Sequence, residues 1–135
     1  MFFLTGSAHG QQVANYSFGK AGAKSYEHFS FWALENKRGE ITYSYGKVGK
    51  EIELTYLGTD TLNGEPCFKV QFPNQHVLYI IPKGLSLKVI DGEGKYSKHF
   101  RWQYEGPVDG VGTFCDACAE DEKAAMKLIR KHFMK

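Results

Sequence analysis

The residues best placed to do chemistry are two cysteines spaced as Cys115-Asp116-Ala117-Cys118. They stand where a stretch with helical periodicity begins, and first-turn amides together with the helix dipole stabilise a thiolate there. A dithiol in that position exchanges with disulfides, which is redox chemistry, although only 17 residues follow Cys118 and a thioredoxin-type fold needs more chain after the motif. The same pair is half of a tetrahedral zinc site, whose other ligands would have to come across from Cys67, His76 or His99. His132 cannot share that metal on a straight helix, because a rise of ~1.5 Å per residue puts it ~21 Å beyond Cys118. Ala119 stands where haem attachment needs His. A third reading is structural: a disulfide or buried thiol pair fixes the helix start, and one of the three thiols is left over. Every pairing among Cys67, Cys115 and Cys118 is open at this point. No cofactor and no complete metal site is expected.

The aromatic set is the second candidate. Phe31, Tyr43, Tyr45, Tyr79, Phe100, Trp102 and Tyr104 fall at inward-compatible positions on predicted strands, along with Phe29, Tyr56, Phe68 and Phe72. One reading is a packed core. The other is an apolar cleft on a concave sheet, with tyrosine hydroxyls at its rim supplying the few polar contacts. Glu51 and Glu53 share a strand face, as solvated carboxylates opposite the apolar face do. The five histidines are scattered, and neither a nucleophile elbow nor a Walker spacing occurs.

Strands must position these side chains. From about residue 27 to 105 apolar residues recur with a period of two, the strand signal. Phe29, Phe31 and Ala33 form one such face; Ile41, Tyr43 and Tyr45 another; Ile52, Leu54 and Tyr56 a third. Val77-Leu78-Tyr79-Ile80-Ile81 is apolar on both faces, which predicts a central strand covered on both sides. Asn63-Gly64 is the strongest hairpin signal, and Pro73-Asn74, Pro82-Lys83-Gly84 and Asp91-Gly92 mark further turns. Connections this short predict an antiparallel meander with no room for helical crossovers. After the glycine-rich segment 106–112, residues 114–134 read as a helix, with Ala125, Leu128, Ile129 and Phe133 on one stripe and Thr113 as its N-cap. That helix is the natural cover for the strand at 77–81. The expectation is therefore an α+β fold: a strongly bent antiparallel sheet of seven or eight strands, with the C-terminal helix packed on it.

The 135 residues suffice for one core, and the 20 aromatics argue against disorder. Residues 1–11 open apolar and pass through Ser7-Ala8-His9-Gly10, like the distal part of a secretory signal or else a flexible terminus. Residues 12–135 then form a single domain, with a periplasmic or secreted location expected. Lys and Arg number 17 against 15 acids; five of the bases and three of the acids lie in residues 119–135, so the body is neutral. A neutral body argues against nucleic acid, and no apolar run is long enough for a membrane-spanning helix.

The stretch Tyr56-Leu57-Gly58-Thr59-Asp60-Thr61-Leu62-Asn63-Gly64-Glu65-Pro66-Cys67-Phe68-Lys69-Val70, followed by Tyr79-Ile80-Ile81-Pro82-Lys83-Gly84-Leu85-Ser86-Leu87-Lys88-Val89, resembles the strand-hairpin-strand core of periplasmic lipoprotein carriers of the LolA/LolB type. The likeness is at the level of fold. It implies a large incurved sheet that holds a lipid or acyl chain against covering helices. With the aromatic faces, it leads to the expectation of a non-enzymatic binding protein that takes an apolar small molecule or a protein segment. The rivals are a thiol redox or metal module at Cys115 and Cys118, and an interaction protein pairing through an open sheet edge.

Overall fold

The computed structural model describes residues 11–35, 37–46, 50–104 and 117–135. Eight strands follow one another in chain order: β1 (Gln11–Phe18), β2 (Glu27–Leu34), β3 (Lys37–Tyr45), β4 (Lys50–Leu62), β5 (Glu65–Gln71), β6 (Val77–Lys83), β7 (Ser86–Asp91) and β8 (Ser97–Gln103). One helix, α1 (Glu122–His132), comes last. Each strand pairs antiparallel with the next, and β1 pairs with β8 through Asn15–Gln103, Tyr16–Trp102 and Ser17–Arg101. The sheet is therefore a closed eight-stranded barrel rather than a bent open sheet. Closure gives every strand a neighbour on both sides, although residues 55–62 of β4 pair with β5 alone and β1 meets β8 over only three residue pairs.

The period-two pattern explains the interior. Tyr16, Phe29, Phe31, Phe68, Phe100, Ile41, Ile80, Leu87 and Val89 alternate inward and are buried. An eight-stranded barrel is just wide enough for side chains to fill it. Rings fill this one, as Phe31 lies 5.7 Å from both Phe29 and Phe68, and Phe29 lies 5.0 Å from Phe100. Two bulges bend the wall. One falls at Trp32, where β3 presents Gly39; a Cβ there would come within 3.1 Å of the Trp32 carbonyl. The other falls at Leu57, beside Gly58 at φ +106°. The predicted hairpin at Asn63-Gly64 turns with φ 52° and 81°, the mirror-image turn that suits strand twist.

The helix is shorter than 114–134 predicts. Residues 117–119 run beside β1 instead: the Val13 N–H donates to the Ala117 carbonyl at 2.8 Å, and the Ala119 N–H to the Val13 carbonyl at 2.9 Å. Asp121 caps α1 by accepting the Ala124 N–H at 2.8 Å. The expected cap Thr113, the glycine-rich segment 106–112, residues 1–10 and Cys115 lie outside the described residues.

Ala125, Met126, Leu128 and Ile129 are the buried face of α1, which packs on β1, β2 and β8. The helix thus closes one end of the barrel and does not lie across β6 as the doubly apolar run suggests. Phe133, just past α1, enters the interior between Phe31 (5.6 Å), Phe68 (5.6 Å) and Tyr56 (5.9 Å). No helix among the described residues is long and apolar enough to cross a membrane.

Candidate functional site

The end of the barrel away from α1 is its mouth, where β1, β3, β5 and β7 finish. Glu27 opens β2 there on the same inward register as Phe29 and Phe31, and it is 6% exposed. A buried carboxylate needs donors or a counter-charge. Its Oε1 accepts the Tyr43 hydroxyl at 2.8 Å and the Tyr96 hydroxyl at 2.5 Å, while its Oε2 is paired with the Lys98 ammonium. Lys98 also lies 4.8 Å from the ring centre of Phe18 and 4.9 Å from that of Tyr96. Burial, then the bond to Glu27, pushes both tyrosine hydroxyls far above their ordinary pKa. They stay protonated and act only as neutral donors. The group forms a neutral floor beneath the mouth.

Above that floor the rings continue outward. Tyr43 sits 5.1 Å from Phe29 below, 5.0 Å from Phe72 beside it and 6.0 Å from Tyr45 above. Tyr45 stacks on Tyr43 at an interplanar angle of 28° and is 54% exposed. A continuous run of rings, Phe100, Phe29, Tyr43 and Tyr45, therefore leads from core to solvent. The β7–β8 loop that presents Tyr96 is tied by Asp91, whose Oδ1 accepts the N–H groups of Lys95 and Tyr96 at 3.0 and 3.2 Å.

Of the seven aromatic residues expected to line a site, Tyr43 and Tyr45 meet at the mouth. Phe31 and Phe100 are fully buried within the ring-filled interior. Trp102 points inward farther along β8, and its buried Nε1 has no hydrogen-bond partner. Tyr104 lies beyond β8, 38% exposed. Tyr79 is on the outward register of β6, since Leu78 and Ile80 take the inward one. Glu27, Tyr96, Lys98 and Phe18 are absent from the sequence-derived set. The available signal was parity, because Glu27 lies two residues before Phe29 and Lys98 two before Phe100.

A second polar group occupies the outer face of β1 and β2. Asn15 Oδ1 accepts from Ser30 Oγ at 2.8 Å and from His28 Nε2 at 3.0 Å, so Nε2 carries the imidazole proton and Nδ1 accepts from the Tyr26 hydroxyl at 3.0 Å. Asn15 Nδ2 donates to the Tyr104 carbonyl at 3.3 Å and to Cys118 Sγ at 3.6 Å. His28 is 1% exposed, and burial lowers its pKa to about 4. Cys118 precedes the helix cap by three residues and is disulfide-bonded, so it does not occupy a first-turn thiolate position. Cys67 is a buried free thiol on β5, its pKa pushed up by burial and then by Asp60. Among the described residues no three His, Cys, Asp or Glu side chains gather in a metal-holding group.

No protein-family model, curated protein or solved structure matches this chain.

Proposed function

We propose that this is a non-enzymatic binding protein that acts outside the cytoplasm and takes an apolar ligand at the aromatic mouth of its barrel. The observation that carries the reading is the exposed Tyr45 ring stacked on Tyr43, with Phe72 beside it. Tyr43 is held from below by Glu27, so the platform is ordered before a ligand arrives and little entropy is lost on binding. The reading differs from a lipid held deep in a concave sheet, because the rings of Phe29, Phe31, Phe68, Phe100 and Phe133 occupy the interior. The disulfide at Cys118 supports an oxidising compartment.

The test is titration with Nile red, a neutral apolar dye, followed by its fluorescence. Tyr45→Ala removes the exposed ring and should weaken binding by about three- to tenfold, the worth of one aromatic contact, with thermal stability retained. A stable Tyr45→Ala protein that binds the dye as tightly as the parent would sink the reading.

A further inference from the structure

At the opposite end of the barrel, the turn after β2 meets the last turn of α1. Between them lies a cavity of about 330 Å3 lined by Glu35, Lys37, Arg38, Lys131, His132 and Lys135. Four permanent cations thus face one carboxylate. The ion pairs among the described residues are Lys69–Asp60, Lys83–Glu65, Lys95–Glu93 and Lys98–Glu27, so among those residues no cation lining this cavity is in a direct ion pair.

The helix dipole accounts for Lys131 and His132, which stand at its carbonyl end. It does not account for Lys37 and Arg38, which β3 brings to the same place. Arg38 is also held in position: its Cζ lies 3.9 Å from the centre of the Tyr56 ring, and the Tyr56 hydroxyl donates to the Phe133 carbonyl at 2.8 Å. One tyrosine therefore ties the guanidinium to the residue after His132. A pre-placed guanidinium matches the paired oxygens of a phosphate, with lysines adding point charge. The volume is at the small end of the range for small-molecule sites.

We propose that this cavity binds a small polyanion bearing phosphate groups, with Arg38 making the two-pronged contact and Lys37 and Lys131 flanking it. The cavity is distinct from the aromatic mouth, so either reading can fail without the other. His132 supplies a second signature. Burial, then Lys131 and Lys135, holds its pKa below the ordinary value, and Glu35, Lys37 and Arg38 are the remaining charged groups around the cavity. A bound anion offsets those cations and favours the imidazolium, so binding draws in a proton.

The experiment is isothermal titration calorimetry of the full chain with pyrophosphate at low salt. One site per chain is expected. Arg38→Ala and, independently, the surface change Lys131→Ala should each weaken it roughly tenfold, the worth of one charge-assisted hydrogen bond. Lys123→Ala lies on the same helix outside the cavity and should leave affinity unchanged; an equal loss there would mean diffuse charge attraction and overturn the site. Inorganic sulfate, whose charge is fixed near neutrality, should bind more tightly at ~pH 6 than at ~pH 8, and His132→Gln should flatten that difference. Sedimentation with phosphatidylcholine vesicles containing phosphatidic acid identifies the source. Vesicle binding competed by pyrophosphate assigns the phosphate to a lipid headgroup, and pyrophosphate binding without vesicle binding assigns it to a soluble ligand. No saturable pyrophosphate binding and no vesicle binding refutes the proposal.

Discussion

Acid should destabilise this protein, and the share carried by His28 can be isolated. His28 is buried on the outer face of β1 and β2, and its pKa falls from the ordinary 6.5 to about 4 because burial penalises the imidazolium. The folded state therefore binds fewer protons than the unfolded state between those values, so stability is fully present above about pH 6.5 and drains away as pH falls towards 4. At about 1.4 kcal/mol for each pH unit, that gap is worth about 3 kcal/mol, a large share of the 5–15 kcal/mol typical of a whole domain. His28→Gln removes the titration while keeping a polar side chain beside Asn15 and Tyr26. The two proteins should be unfolded with urea at several pH values from 7 to 4. The parent should lose about 3 kcal/mol more than the variant over that range, whatever their offset at pH 7. Parallel curves would refute the argument, because every other titrating group is common to both proteins. An NMR titration in which His28 gains its second proton near pH 6.5 would refute it directly.

Three further outcomes follow from the packing. Phe133→Ala empties the space between Phe31, Tyr56 and Phe68, and should cost about 3–5 kcal/mol in urea unfolding; an unchanged midpoint would show that the ring does not plug the barrel. Tyr96→Phe deletes the 2.5 Å bond to the Glu27 carboxylate, so stability should drop by about 1.5–3 kcal/mol, with Tyr45→Phe, which loses no described bond to Glu27, as the control. Cys67 should resist alkylation in the folded protein and react once the chain is unfolded without reductant, whereas Cys118 should react only after reduction, as peptide mass mapping would show.

Much of the barrel was legible because alternation is a local signal. The strands read from Phe29 to Trp102 keep the register they show in the sequence, and Asn63-Gly64 turns as its residue types require. Closure was not legible. It depends on β1, where Val13 is buried on the outer face with the polar Asn15 and Ser17, and only the small Ala14 stands beside Tyr16 on the inner one, so the apolar alternation there is too short to read. The cover over that outer face comes from residues more than 85 positions away, Tyr104 and the segment 117–119, and no local pattern encodes it. Tyr79 shows the opposite limit: in a strand apolar on both faces, parity cannot say which side is inside. The mouth was half legible, since Tyr43 and Tyr45 follow Ile41 on one face. Its floor was hidden because Glu27 and Lys98 look like solvent-facing charges until the barrel sets them against each other.

Both ends of this barrel are closed by its own chain, and that decides where recognition is cheapest. Entry beside α1 would have to withdraw Phe133, lose the Tyr56 hydroxyl bond and disturb the pairing of residues 117–119 with Val13. Entry at the mouth would have to separate Lys98 from Glu27, and stranding a buried charge costs about 3–5 kcal/mol. A penalty of that size reduces affinity by a factor of roughly 100 to 5,000 before any contact is made. The two rims carry no such penalty. At one, Tyr45 presents a face with no floor to break; at the other, four cations already repel one another, so an arriving anion relieves unfavourable energy instead of adding it. The sequence spends its aromatics on filling the barrel, and the groups left to meet other molecules are the ones standing at its two ends.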